Sequence, residues 1–338
     1  MNPPRSGILA AGNFIVDHVK IIDAYPPQDT LATILSESKS NGGGPYNVLR
    51  DLAAMGAAYP LAACGLVGDD DHGRWIRADL EAQGIDATQL HARPGLATSY
   101  TDAMTEQGSG RRTFFHRRGA NACFDVSHCD FSISTARHFH LGYLMLLDRL
   151  DEIGPDGHSG ASYLLEAALA AGLRTSVDMV SARHPRFREI ATSALPWTDF
   201  LIVNEYEAGA TLGLQLDPRD APGLESAAGF LLDAGVREAA VIHTRHGAVA
   251  VSRDGTCVRR AALKLPEDLV RGATGAGDAF AAGILHGLHE GFPLHDCLHL
   301  ATCTAAISLT DPTPSRGLRP VSECLALATL DPDPEWTA

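Results

Sequence analysis

The residues best suited to chemistry stand near the C-terminal end, in Ala273-Thr274-Gly275-Ala276-Gly277-Asp278-Ala279-Phe280. Beyond them Ala279, Phe280, Gly283, Ile284, Gly287 and Leu288 recur at three- and four-residue spacing, and Gly291 and Pro293 supply a stop, so a helix entered from the glycine turn is predicted. Gly275 to Gly277 then form a helix N-terminus. Unpaired backbone N–H groups and the positive end of the macrodipole favour anions there, and small residues let an oxyanion approach the backbone. A carboxylate beside such a site repels the anion, unless it is there to take a proton from a nucleophile attacking it. Asp278 is therefore a candidate general base. The alternative is an acidic residue that only stabilises its own helix, worth about 0.3–1 kcal/mol.

A second glycine cluster, Asn41-Gly42-Gly43-Gly44-Pro45-Tyr46-Asn47, also precedes a predicted helix, whose apolar face would use Val48, Leu49, Leu52 and Met55. Alone it marks no more than a tight turn. Two glycine-cradled helix N-termini, one carrying a base, suit a phosphoryl donor and an acceptor brought together.

Those motifs need a scaffold, and short apolar strands alternating with helical stretches predict an α/β fold with a mainly parallel sheet. Strands are read at 7–11, 61–66, 175–178, 200–203 and 239–243, and helices at 46–55, 73–83, 162–171 and 224–234. Segments 14–40 and 97–118 break the rhythm with β-type residues and a hairpin turn at Gln107-Gly108-Ser109-Gly110. They predict a small separate sheet, either a lid over the ligand crevice or a peripheral decoration. The organisation expected is a core of residues 1–12, 41–96 and 119–330, a β lid of 13–40 and 97–118, and a loosely held tail from 331 to 338.

Composition limits the partners. With 338 residues and 45% hydrophobic content the chain can bury a large core, and a formal charge of −14 disfavours nucleic acid and anionic membranes. There is no apolar run of about eighteen residues, and MNPPRSGILAAGN is not patterned as a targeting segment; a soluble cytoplasmic protein is expected. Seven cysteines without a C-x-x-C pair point to reduced thiols, and the fifteen histidines form no metal-binding motif. A dinucleotide-dependent oxidoreductase is disfavoured, because Gly7-Ile8-Leu9-Ala10-Ala11-Gly12 lacks the G-x-G-x-x-G spacing.

Over nearly its whole length the chain resembles the ribokinase-like (pfkB) carbohydrate kinases. The resemblance is carried, in order, by Gly12-Asn13 with Asp17, by Gly42-Gly43-Gly44 with Asn47, by Asn204-Glu205-Tyr206-Glu207 after a strand, and by Thr274-Gly275-Ala276-Gly277-Asp278. It implies a three-layer α/β/α domain with a β lid, and ATP-dependent phosphorylation of a sugar hydroxyl. Asp278 would be the base and Gly275, Ala276 and Gly277 the anion hole. Asn13, Asp17, Gly43, Gly44, Asn47 and Arg118 would meet the sugar, and Asn204, Thr274 and Gly247 the nucleotide. Mg²⁺ would lie near Asn204 and Glu207, mainly through water. Pairing of lid sheets implies a homodimer.

Three positions depart from the family pattern. Gly272 stands where relatives carry an aspartate that helps hold a monovalent cation, so potassium activation does not carry over. His243-Thr244-Arg245-His246-Gly247-Ala248 rewrites the segment near the nucleotide, and of the Asp-x-Asn-x-Arg motif only Asp178 remains. A plain sugar, a sugar acid, a sugar phosphate and a nucleoside all stay open as acceptors, as does a catalytically weak sugar-binding relative.

Overall fold

The computed structural model describes residues 4–109, 111–333 and 336. The chain opens with β1 (Ile8–Gly12), leaves it for β2 (Ile15–Ile22) and β3 (Ile34–Gly42), and returns through α1 (Gly44–Ala54), β4 (Leu61–Gly68), α2 (Asp71–Ala82) and β5 (Asp86–Arg93). A second excursion forms β6 (Ser99–Glu106) and β7 (Arg112–Arg117), followed by β8 (His138–Leu144), the one-turn α3 (Asp148–Asp151), α4 (Gly160–Ala170) and β9 (Arg174–Met179). Next come α5 (Phe187–Ala194), β10 (Phe200–Asn204), α6 (Glu205–Leu212), α7 (Ala221–Asp233) and β11 (Ala239–His243). The hairpin β12 (Gly247–Ser252) and β13 (Cys257–Ala261) leads to α8 (Ala276–Glu290), α9 (Leu294–Ser308) and α10 (Val321–Ala326).

The large sheet has nine strands in the order β13-β12-β11-β10-β9-β8-β1-β4-β5. All neighbours from β11 to β5 are parallel, and β12 and β13 add an antiparallel edge. The period of two along a strand gives each face its own core. In β1, Leu9 and Ala11 join Leu164 of α4, Ile190 of α5 and Leu231 of α7, while Ile8 and Ala10 join Leu49 of α1, Ile76 of α2 and Ile284 of α8. These are the three layers expected. Strands covered on both sides read as continuous apolar runs, and each fully buried Leu or Ile contributes about 1.5–3 kcal/mol.

Helix starts fall slightly ahead of the apolar periodicity. Pro45 sits in the first turn of α1, where its missing N–H costs nothing, and Ser159 caps α4 by accepting from Ser162 N. β8 is not predicted from periodicity at all. His138 and His140 interrupt its sequence, yet both are buried, and burial depresses their pKa values to about 3 and about 4. They are neutral residues in an interior strand, not surface polar ones.

From β1 the chain runs outward to β5 and then returns to β8 on the other side of β1. The strand order therefore reverses between β1 and β8, the place where open α/β sheets bind ligands at their carboxyl ends. Above that end lies the four-stranded sheet β3-β2-β6-β7, two antiparallel hairpins joined by parallel pairing of β2 with β6. β3 runs on to Gly42, two residues past the boundary at 40 read from sequence. The predicted hairpin turn is present at 107–109; Gly110 lies outside the described residues.

The segment from 331 to 338 is expected from sequence to be loosely held. Its described part is packed: Lys264 N donates to Asp331 O, Pro332 bridges Leu263, and Trp336 is buried with its ring against Gly247. Among the described residues no helix is long and apolar enough to cross a membrane, and all seven cysteines are free thiols.

Candidate active site

A cavity of about 450 Å³ opens where the carboxyl ends of the parallel strands meet the small sheet. Its floor is the turn Ala273 to Asp278. One wall comes from the strand ends, with Asp178, Asn204 and His243, and the roof from the small sheet, with Asp17 of β2, Thr101 of β6, and Phe114 and His116 of β7.

Asp278 lies in the first turn of α8, 4% exposed, and both its oxygens are held. The Tyr143 hydroxyl donates to Oδ1 at 2.5 Å, and Asn47 Nδ2 donates to Oδ2 at 2.8 Å. Asn47 is itself fixed, accepting from Asn41 Nδ2 at 2.7 Å. Burial lifts the Asp278 pKa to about 6, with the two donors pulling against it. Burial, reinforced by the Asp278 charge, keeps the Tyr143 phenol protonated, so it remains a donor. The result is a carboxylate fixed in orientation and able to gain or lose a proton near neutral pH.

The turn below has the local conformation an anion site needs. Gly275 caps α8 at φ 80°, a left-handed conformation natural to glycine, and of the amides that begin the helix Ala276 N makes only a long bond to Ala273 O, 3.4 Å. Across the cavity Gly43 caps α1 at φ 88°, and Gly44 leaves room for the Tyr143 ring, which a Cβ would meet at 2.8 Å. The second glycine cluster thus seats the tyrosine that holds Asp278.

Asp17 faces the same cavity from β2. Burial raises its pKa to about 7, offset in part by its cross-strand neighbour Thr101 and increased by the Asp278 charge. Thr101 Oγ1 also pairs with His116 Nδ1 at 3.0 Å, and His116 Nε2 is buried without a partner. Burial pushes Asp178 well above its ordinary range, with the charges of Glu207 and Asp278 adding to the effect.

Asn204 and Glu207 form a capping box at the start of α6. Glu207 N donates to Asn204 Oδ1 at 3.0 Å, and Asn204 N donates to Glu207 Oε2 at 2.9 Å. Glu207 is buried, not solvated, and burial raises its pKa to about 7. Among the described residues, no cluster of three or more His, Cys, Asp or Glu side chains is arranged to hold a metal directly.

Of the residues singled out from sequence, Asp17, Gly43, Asn47, Asn204, Glu207, Thr274, Gly275, Ala276, Gly277 and Asp278 line this cavity. Gly247 lines an adjoining one of about 270 Å³ with Thr244, Leu263, Phe280 and Leu309, and the two share Ala273 and Ala276. Three residues lie elsewhere. Asn13 is wholly buried, donating to Leu146 O at 3.2 Å and accepting from Tyr143 N at 2.5 Å, so it ties the end of β1 to that of β8. Gly44 is covered by Tyr143, and Arg118 points away to pair with Asp148 at 2.7 Å. Tyr143 itself, Thr101 and His243 are the site residues that sequence motifs do not reveal.

The model of the pfkB family carbohydrate kinases matches residues 10–319. The chain belongs to that family. Among curated relatives, an ATP-dependent ribose-1-phosphate kinase of Halopiger xanaduensis is 29% identical over 279 residues, covering 82% of this chain and 83% of its own. A nucleoside kinase of Methanothermobacter thermautotrophicus is 23% identical over 305 residues, covering 90% and 89%. Among solved structures, Arabidopsis thaliana ribokinase complexed with ribose and ATP superposes with a TM-score of 0.77 at 18% identity, over 98% of this chain and all of that one. The fold of this pfkB kinase is thus the ribokinase fold, and its class of reaction is ATP-dependent phosphorylation of a sugar or nucleoside.

Proposed function

We propose that this kinase transfers the γ-phosphoryl group of ATP to a hydroxyl of an uncharged sugar ring, free or carried by a nucleoside, with Asp278 as the general base. The observation that carries the reading is the fixed Asp278 carboxylate, facing Asp17 across one cavity and rooted in the glycine turn. The acceptor oxygen attacks the γ-phosphorus, the bond to the β,γ-bridging oxygen breaks, and ADP leaves with that electron pair. The hydroxyl proton passes to Asp278. Amides of Gly275 and Gly277 would face the charge on the transferring group, and Ala276 N would join them by giving up its 3.4 Å bond to Ala273 O. Asp17, Thr101 and the unpartnered His116 Nε2 are placed to hold sugar hydroxyls. The adjoining apolar cavity beside Gly247 suits a nucleotide base.

Mg²⁺ fits this donor set. Asp178 and Glu207 are buried carboxyls whose charges oppose each other, with no Lys or Arg among the described residues that line the cavity. When bound, the ion would neutralise phosphate charge. Because both oxygens of Glu207 already accept hydrogen bonds, it and Asn204 would meet the ion through water.

Arg112 bonds Thr274 at the phosphoryl end, and no Lys or Arg is among the described residues that line the cavity beside Asp17 and His116. That favours a neutral acceptor over a sugar phosphate or sugar acid, which a bidentate arginine would recognise. An ATP-consumption screen over sugars, sugar acids, sugar phosphates and nucleosides tests this. Turnover with neutral rings is expected; turnover confined to phosphorylated sugars would sink the acceptor assignment. If no acceptor is turned over but a sugar raises the melting temperature, the chain is a sugar-binding relative.

The base assignment makes a pH prediction. Asp278 acts when ionised, so kcat/KM should fall as pH drops through about 6. Tyr143→Phe removes a donor that favours the ionised form, so the Asp278 pKa rises and the acid limb moves to higher pH. A limb that stays put, or moves to lower pH, contradicts the assignment.

The lid should also be an interface with a second copy. Its edge strands carry exposed apolar side chains, Ile34 and Leu35 on β3 and Phe115 on β7, beside unpaired ladder groups. Light scattering should give a dimer for the wild type and a monomer for Leu35→Asp with Phe115→Asp. A monomeric wild type ends this reading.

A further inference from the structure

The geometry points to Arg112 as the fixed positive charge of the phosphate site: its guanidinium, delivered by the lid, stands in place of the monovalent cation, so that phosphoryl transfer here needs no potassium. The inference rests on the assignment of the Gly275–Asp278 turn as the phosphoryl site.

Side chains two apart on a strand share a face, and β7 presents Arg112, Phe114 and His116 together. Phe114 and His116 line the active-site cavity. One turn of pleat further, Arg112 crosses from the lid to the core and donates from Nη1 to Thr274 Oγ1, the residue that opens the glycine turn. Its other terminal nitrogen covers Gly272, where a Cβ would lie 2.9 Å from Nη2. The guanidinium therefore sits over the backbone of residues 272 to 274, at the lip of the proposed anion hole.

A cation held there would require negatively polarised oxygens. Position 272 offers no side chain, the Asp311 carbonyl oxygen lies 3.5 Å from where its Cβ would be, and a guanidinium, which stays charged at any physiological pH, already occupies the approach at 2.9 Å. Like charges repel, so the residues present do not fit a monovalent cation. They fit an anion. Arg112 is partly buried, burial is what perturbs it, and among the described residues no carboxylate pairs with it. A half-buried guanidinium with one of its five donors on a neutral hydroxyl retains donors for phosphate oxygens. Because the charge belongs to the lid, it reaches the site only when β7 is docked on the turn.

The test compares wild type with Arg112→Ala, Arg112→Gln and Arg112→Lys. Mg-ATP and ADP affinities are measured by calorimetry and turnover with the acceptor found in the screen, in potassium chloride and in tetramethylammonium chloride at equal ionic strength. Wild type should bind and turn over equally in both salts. Arg112→Ala and Arg112→Gln should weaken Mg-ATP binding roughly ten- to a hundredfold, the loss of a charge-assisted hydrogen bond, whereas Arg112→Lys should recover part of it. A purely structural link to Thr274 would instead be rescued by Gln. Potassium stimulation of the wild type, or nucleotide affinity unchanged in Arg112→Ala and Arg112→Gln, overturns the role of Arg112 and leaves the kinase reading standing. A wild type that binds no nucleotide in either salt removes both.

Discussion

Replacing Asp278 with Asn is expected to lower kcat/KM roughly 10²–10⁴-fold, the usual contribution of a positioned base, while Mg-ATP affinity is retained. Asn keeps the shape of the side chain and cannot take the acceptor's proton. It also offers only one oxygen to the two donors that now hold the carboxylate, Tyr143 and Asn47, so one hydrogen bond is lost. Removal of a carboxylate whose pKa is raised by burial works in the opposite direction on stability, so the melting temperature should move little. The alternative role, an acid that only stabilises the start of α8, reverses both expectations: turnover unchanged and stability reduced by about 0.3–1 kcal/mol. Single-turnover transfer and thermal denaturation on the same preparation therefore separate the two readings. Turnover at the wild-type rate in Asp278→Asn removes the base assignment.

The glycine turns were legible because their chemistry is local. Gly275 and Gly43 adopt conformations that side chains disfavour, and each stands directly before a helix whose period is written in the sequence. Asp17, Asn47 and Asp278 were readable as a set through their motifs, even though 231 positions separate Asn47 from its hydrogen-bond partner. Tyr143 was hidden for the opposite reason. It stands at the end of β8, whose apolar run is broken by His138 and His140, and only three-dimensional burial makes those imidazoles neutral core residues. Strand accounting gives the missing signal: an apolar stretch is needed between the second lid hairpin and β9 to return the chain beside β1. Arg118 and Arg112 differ by six positions on one lid segment, and sequence could not say which faced inward. The pleat decides it, turning Arg112 to the turn at Thr274 while Arg118, past the strand end, is taken up by Asp148. The capping box of Asn204 and Glu207 fixes a carboxyl that burial raises to about 7, with the bonds from Asn204 and Ser181 opposing the shift and the Glu205 charge adding to it.

Two glycines of the same turn should respond oppositely to a single methyl group. Gly275 stands at φ 80°, where a Cβ costs roughly 1–2 kcal/mol, and it would lie 2.7 Å from Pro314 Cα and 2.9 Å from Pro314 O. Those are backbone and ring atoms of the segment packed behind the turn, and they cannot swing aside as a flexible side chain would. Gly275→Ala must therefore displace the turn itself, and with it the amides proposed to face the transferring phosphoryl. Losing one such donor is worth roughly 10²–10³ in kcat, and a stability loss of about 1–3 kcal/mol should accompany it. Gly277 is already inside α8 with no positive φ, and a Cβ there meets only His243 Cε1 at 3.4 Å, an ordinary contact. Gly277→Ala keeps the amide and gives a first-turn position with helical φ a side chain it can accept, so its melting temperature should hold or rise and most of its activity should survive. Equal losses in the two variants would mean that the turn acts through space for the ligand and not through the direction of its amides. Activity retained in Gly275→Ala would show that this turn is not the anion hole.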